Sequence, residues 1–235
     1  MIRRSILTAA VLYAAAAPAA GQGIDSPYDF VETSQAFRVF GGAVLTDRGV
    51  IDTGPGSSYG LGAGYTIRIS GPFNFDARVV YIPTDRRVFN LSADSAVAGD
   101  DPRVGLEEIG TADLSLMLID AALRFDLTGP RTWHRIQPYA LIGVGAAFAV
   151  AADNTAEESL PTDIDLRVRF KNGITGHIGV GAELHLARRF TVTVEARDLL
   201  WKVHVPDGFR DPARVIDDSE WVQTGHFNLG LAYRL

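Results

Sequence analysis

The chain has 235 residues, 47% of them hydrophobic, with no cysteine and a formal net charge of -6. That length suits one large domain or two small ones. The acidic balance lacks the cationic surface that captures nucleic-acid phosphates, and the absence of cysteine leaves stability to the fold alone.

The N-terminus reads MIRRSILTAAVLYAAAAPAAGQG. Arg3 and Arg4 precede an apolar run from Ile6 to Ala17 and then small residues, the three regions of a secretory signal peptide. Cleavage after Gly21 fits the small-x-small rule, with Ala17-Pro18-Ala19 as a second possibility. An uncleaved anchor helix is the alternative, but the run falls short of the roughly 20 residues that span a bilayer. Removing residues 1–21 deletes two arginines and no acid, which takes the charge from -6 to -8. Residues 22–35 are polar and read as an irregular periplasmic lead-in to a single domain over 36–235.

From residue 36 the chain alternates apolar and polar positions, the period of a strand with two unlike faces. The first such segment is 36–45. In 58–69, Tyr59, Leu61, Ala63, Tyr65, Ile67 and Ile69 oppose Gly60, Gly62, Gly64, Thr66 and Arg68. In 73–82, Phe73, Phe75, Ala77, Val79 and Tyr81 oppose Asn74, Asp76 and Arg78. In 113–127, Met117, Ile119, Ala121, Leu123 and Phe125 oppose Asp120, Arg124 and Asp126. Segments 136–150, 173–186 and 188–201 continue the pattern, and a last one runs from about Trp221 to Leu235. This predicts eight strands.

The connections alternate in length. Long ones cover 46–57, 83–111, 151–172 and 202–220; short ones fall near 70–72, 128–135 and 187–189. An antiparallel meander with its long loops at one end and tight turns at the other is the plan of an up-and-down transmembrane barrel, which also has no free sheet edge. A mean hydropathy of +0.09 does not argue against it, because half of each strand faces inward. Asn172-Gly173 is a strong two-residue hairpin signal, and 163–170 before it also alternates. Either the sixth strand runs long above the membrane with a bulge at Gly173, or a true hairpin there, with a further strand at 86–93, raises the count to ten.

The polar face carries Arg38, Arg68, Asp76, Arg78, Asp120, Arg124, Asp126, Glu183, Glu195, Arg197 and Arg234, six cations against five anions. Near-balanced charge suits mutual pairing in a closed lumen, since an unpaired buried ion is costly. Glycines on that face, such as Gly143, Gly145, Gly179 and Gly181, leave room for neighbouring long side chains. Phe73, Tyr81, Phe125, Phe190, Phe227 and Tyr233 fall near the ends of apolar faces, as an interfacial girdle requires. The ending HFNLGLAYRL places Phe227, Leu229, Leu231, Tyr233 and Leu235 on one parity.

That C-terminal pattern resembles the insertion signal of the small outer-membrane β-barrels of Gram-negative bacteria, the OmpA- and OmpX-like group, although Leu235 stands where that family usually ends in Phe. The resemblance is architectural and covers about 36–235. It implies location in the cell outer membrane, contact with its lipid and lipopolysaccharide, and delivery by the barrel-insertion machinery through the last strand. It further implies a monomer with a structural or surface role, without enzyme activity, cofactor or nucleic-acid partner. A lipocalin-like barrel reverses the faces, with apolar side chains inward, but its usual Gly-x-Trp near the first strand is absent.

Other motifs have plainer readings. GSSYG at 56–60 fits a nucleophile pattern around Ser58, but that chemistry needs a helix after the turn, and a strand pattern follows. IDTG at 51–54 occurs once and lacks the second aspartate of an acid protease. His177, Glu183 and His185 share a lumen-facing parity but spread over roughly 20–27 Å of strand, so hydrogen bonding is favoured over catalysis. Loop acids at Asp94, Asp100, Asp101, Glu107, Glu108, Asp153, Glu157, Glu158, Asp207, Asp211, Asp217 and Asp218 match no calcium loop; they read as solvated surface able to bridge divalent cations to lipopolysaccharide phosphates. A small-solute pore and a lipid A-modifying enzyme are the rival functions.

Overall fold

The computed structural model describes residues 26–91, 103, 105–153, 155–162, 164–168, 170, 172–209 and 219–235. The signal segment at 1–21 and the loop acids Asp94, Asp100, Asp101, Asp211, Asp217 and Asp218 lie outside them. The strands are β1 (Tyr28–Phe30), β2 (Gln35–Thr46), β3 (Ser58–Ser70), β4 (Phe73–Leu91), β5 (Leu106–Asp126), β6 (Arg131–Trp133), β7 (Ile136–Ala152), β8 (Gly173–His185), β9 (Phe190–His204) and β10 (Ser219–Arg234).

Eight of them form the ring β2-β3-β4-β5-β7-β8-β9-β10, antiparallel throughout, closed by the pairing of β10 with β2. Following the register once around defines its geometry. Phe190 pairs with Tyr233, then Phe37, Tyr65, Ala77, Ala121, Val144 and Gly176, and the path re-enters β9 at Leu200. The closure is therefore sheared by the ten residues between Phe190 and Leu200. Eight strands with that shear tilt by about 40° and leave a bore that side chains can fill. The same ten residues rise about 25 Å along the axis, the height of a lipid-facing band.

The faces divide as alternation requires. Phe37, Leu61, Phe75, Leu123, Ile142, Val180 and Leu229 are exposed on the outside, while charged residues are buried inside. A water-exposed surface this apolar is not stable; lipid is the solvent that accommodates it. At the end carrying the short turns, Phe73 packs edge-on against Phe125 and Phe190 against Tyr233. Phe227 departs from the expected girdle: it pairs with Ala43 and Ala196, within the band. The Asp198 carboxylate faces outward, where the Gln223 amide donates to it at 2.7 Å.

Other differences from the sequence reading have local causes. The lead-in is not wholly irregular, because β1 pairs with β6 inside the 128–135 turn, Tyr28 opposite Trp133. β6 and β7 meet at a two-residue turn in which His134 and Arg135 both have positive φ, 48° and 65°; this left-handed pair matches right-twisted strands. The extra strands are thus not those of the ten-strand alternative. Residues 86–91 simply extend β4, which stays paired with β5 past a bulge at Val88/Phe89. Residues 164–168 are neither a continuation of β8 nor half of a hairpin; β8 starts at Gly173, and Leu166 and Val168 turn inward as buried cap residues.

Candidate functional site

The bore is the chemically distinctive part of the molecule, and it is layered. In the layer nearest the short turns, Arg124 donates to Asp126 at 2.7 Å and also to Glu183, and Arg234 donates to Glu183 from the far side. Asn74 and Gln137 each donate to Asp126 at 2.9 Å. Two arginines therefore face two carboxylates.

The next layer is richer. Arg38 reaches both oxygens of Asp76 at 3.0 Å and Glu195 at 3.2 Å. Arg197 donates to Glu195 at 2.7 Å, Asp76 at 2.8 Å and Asp120 at 3.0 Å. Arg78 donates to Asp120 at 2.6 Å. Three arginines face three carboxylates, and all six side chains are nearly inaccessible.

Tyr139 couples the two layers. Its hydroxyl donates to Glu195 at 2.8 Å, while the Arg124 guanidinium lies 3.7 Å from its ring centre. Gly181 makes the space: a Cβ there would stand 2.5 Å from the Tyr139 hydroxyl. Gly62 does the same for Phe40, whose ring carries Arg38 on its face.

Ten of the eleven charged residues read from the polar face are buried in these layers. Arg68 is not among them. It is half-exposed at the rim beside the short turns and donates to the Val31 carbonyl at 2.8 Å, tying down the segment before β2. His177 stays apart from Glu183 and His185, whose side chains lie 3.9 Å from each other. His177 meets Arg197 at 3.1 Å, Glu183 belongs to the layer nearest the short turns, and His185 meets Gln137 at 3.2 Å.

Above His177 the bore changes character. Val44, Val80, Ile82, Leu114, Leu116, Leu118, Leu199 and Val222 form a buried apolar cluster where a polar lumen was expected. Parity places these residues inward, but both faces are apolar there, so alternation of hydropathy could not reveal them. Loop 46–57 folds down as a stopper: Thr53, Gly54, Pro55 and Gly56 are buried, and the Gly56 amide donates to the Asp85 carbonyl at 2.7 Å. Ser58 opens strand β3, with no helix after it, and donates to the Pro83 carbonyl, and Asp52 accepts from Arg87.

A second apolar cluster, with Ile51, Val88, Phe89, Leu160, Leu166, Val205 and Phe209, joins the loops above the stopper. Glu157, read from sequence as solvated, is buried there; it accepts from Arg86 at 2.7 Å and from the Val168 amide at 3.0 Å. Glu107, Glu108 and Glu158 are exposed. Among the described residues no three potential metal ligands converge.

No family model and no curated protein matches the sequence. Solved structures do match in fold. The outer membrane protein OprG from Pseudomonas aeruginosa aligns at 13% identity and a TM-score of 0.51, covering 86% of this chain and 97% of that one. Neisserial surface protein A aligns at 11% identity and the same TM-score of 0.51, covering 89% of this chain and 98% of that one. The fold is that of the small outer-membrane β-barrels.

Proposed function

We propose that the protein is an integral outer-membrane barrel with a permanently closed bore and a structural or surface role, serving as a pedestal for its extracellular loops. The observation that carries this reading is the stacking along one bore of two charge-balanced ionic layers, an apolar layer and a folded cap. Conduction needs polar groups lining a wet path, whereas here the arginines and carboxylates spend their hydrogen bonds on one another. Glu183, although 3.9 Å from His185, is occupied by Arg124 and Arg234, and His177 lies in another layer, which likewise favours a non-catalytic role.

The expected partners follow from the surface. The apolar band takes up lipid, and the exposed Glu107, Glu108 and Glu158 supply carboxylates for divalent bridges to lipopolysaccharide. The parity of Phe227 to Leu235 suits recognition of β10 by the insertion machinery. A monomer without nucleic-acid partners completes the proposal.

Purified, folded protein in a planar bilayer tests the closed bore. The expected result is no steady single-channel current. Reproducible ohmic openings would overturn the reading and favour the small-solute pore.

A further inference from the structure

The short strands β1 and β6 continue the barrel wall beyond the short turns. Trp133 lies opposite Ile136, Tyr28 opposite Trp133, and Phe30 opposite Arg131. Leu184 occupies the other flank of Ile136, so β6 runs in the lane of β5 and β1 in that of β4. Directly paired residues share a sheet face. Tyr28, Phe30, Trp133 and Arg131 therefore extend the outer face to which Ile136 belongs, and all are exposed. The opposite face carries Asp29 and Thr132, and Thr132 is buried near Arg234 at the mouth of the bore.

The shear of the ring sets the depth of this extension. It offsets each strand from the next by a little over one residue, which brings Leu127 and Ile136 level with the Phe190 and Tyr233 girdle. Trp133 and Tyr28 then stand roughly 5–8 Å beyond that girdle along the axis. The headgroup layer on each side of the hydrocarbon is about 5–8 Å thick. Tyrosine and tryptophan, apolar rings with one polar tip, favour that layer. In water the same face would leave three large rings exposed side by side.

Charge agrees with this depth. Arg131 and Arg135 are exposed at the short-turn rim and pair with no carboxylate of the described residues. Glu32 is already held by Arg188 at 2.9 Å, and Asp29 lies on the inner face of β1. A chain of formal charge -6 thus presents cations beside its exposed aromatic rings. We propose that β1 and β6 form an interfacial anchor in the leaflet at the short-turn end, with Tyr28, Phe30 and Trp133 in the headgroup layer and Arg131 against the phosphate of an anionic phospholipid. The anchor holds the depth of the barrel from the β4 and β5 side. It rests on the lipid-facing band and is independent of the closed bore.

The full chain in phosphatidylcholine nanodiscs allows a direct test by nuclear Overhauser contacts, which report only near neighbours. The Trp133 indole signal is identified by its loss in Trp133→Phe. It should show cross-peaks to the lipid glycerol and first acyl methylene protons. The methyls of Ile142, which is exposed in the middle of the band, should show cross-peaks to acyl-chain methylenes. Trp133 cross-peaks to water alone, with those of Ile142 intact, overturn the anchor. Loss of the Ile142 cross-peaks overturns the lipid-facing band, and the anchor with it.

Stepwise replacement of phosphatidylcholine by phosphatidylglycerol tests the phosphate contact. The Trp133 signal should shift along a saturating curve. Arg131→Gln, an exposed change outside the ring of eight strands, should raise the half-saturating fraction of phosphatidylglycerol about fivefold, the effect of one arginine at an anionic surface. An unchanged fraction in folded Arg131→Gln, or a Trp133 signal indifferent to phosphatidylglycerol, overturns the anionic headgroup as the partner of Arg131. Neither result bears on conductance, which tests the closed bore separately.

Discussion

Glu183 is held between Arg124 and Arg234 with almost no access to solvent, while Arg188 and Glu32 form an ion pair with side chains 84% and 70% exposed. These two settings give opposite expectations for the same kind of substitution. Glu183→Gln leaves two buried guanidinium groups short of a countercharge and should destabilise the barrel by about 3–5 kcal/mol. Arg188→Ala breaks only a solvated pair and should cost under about 1 kcal/mol. Urea midpoints in a bilayer or detergent of fixed composition check both. The inward orientation of Glu183 was legible from parity alone, because a strand of period two offers only two faces. Arg68 shares that parity but sits at the rim, where a nearby carbonyl replaces the network as its partner. Tyr139 was not legible, since an aromatic at an inward position looks the same in sequence whether it bridges ion layers or fills space.

At the scale of elements, two dipeptides exchanged roles. Asn172-Gly173 carries the familiar hairpin signal, yet the chain enters β8 there without turning back, because Leu166 and Val168 bury better in the cap than in a strand. His134-Arg135 carries no such signal and makes the tight turn, because β1 captures β6 from the other side and fixes the hairpin despite the less favourable left-handed residues. Tertiary pairing overrode local chemistry in both places. The seam between the first and last barrel strands is similarly exacting. A Cβ at Gly42 would lie 1.8 Å from the Phe227 carbonyl oxygen, a clash with backbone that no rotamer relieves. Gly42→Ala should therefore reduce the fraction reaching the folded, heat-modifiable form on gels, whereas Gly176→Ala, at a β8 position with open space around it, should fold in much higher yield. β10 also carries the alternating C-terminal residues proposed as the insertion signal. Tyr233 is half-buried against Phe190, and Arg189 donates to its hydroxyl at 2.8 Å. Tyr233→Ala should slow the appearance of folded barrel in pulse-chase assembly while leaving the spectrum of the finished barrel unchanged.

For the whole molecule, strand count and closure followed from spacing, since an even meander of amphipathic strands has few other ways to hide its edges in lipid. The cap did not follow, because it is built from loop residues whose apolar members lack any period: Ile51, Leu160, Val205 and Phe209 come from three different connections. That cap holds the surface acids on a fixed platform. If Glu107, Glu108 and Glu158 bind lipopolysaccharide through divalent cations, chelator should lower the thermal midpoint of the barrel in lipopolysaccharide and leave it unchanged in zwitterionic detergent. An equal response in both media would refute the bridge. The paired layers also have an effect at long range. Their five arginines and five carboxylates cancel, as does the Arg86 and Glu157 pair above them. The formal charge of -6 therefore lies outside these pairs. The bore is electrically silent, so the loops can change sign or length without any adjustment of the paired layers.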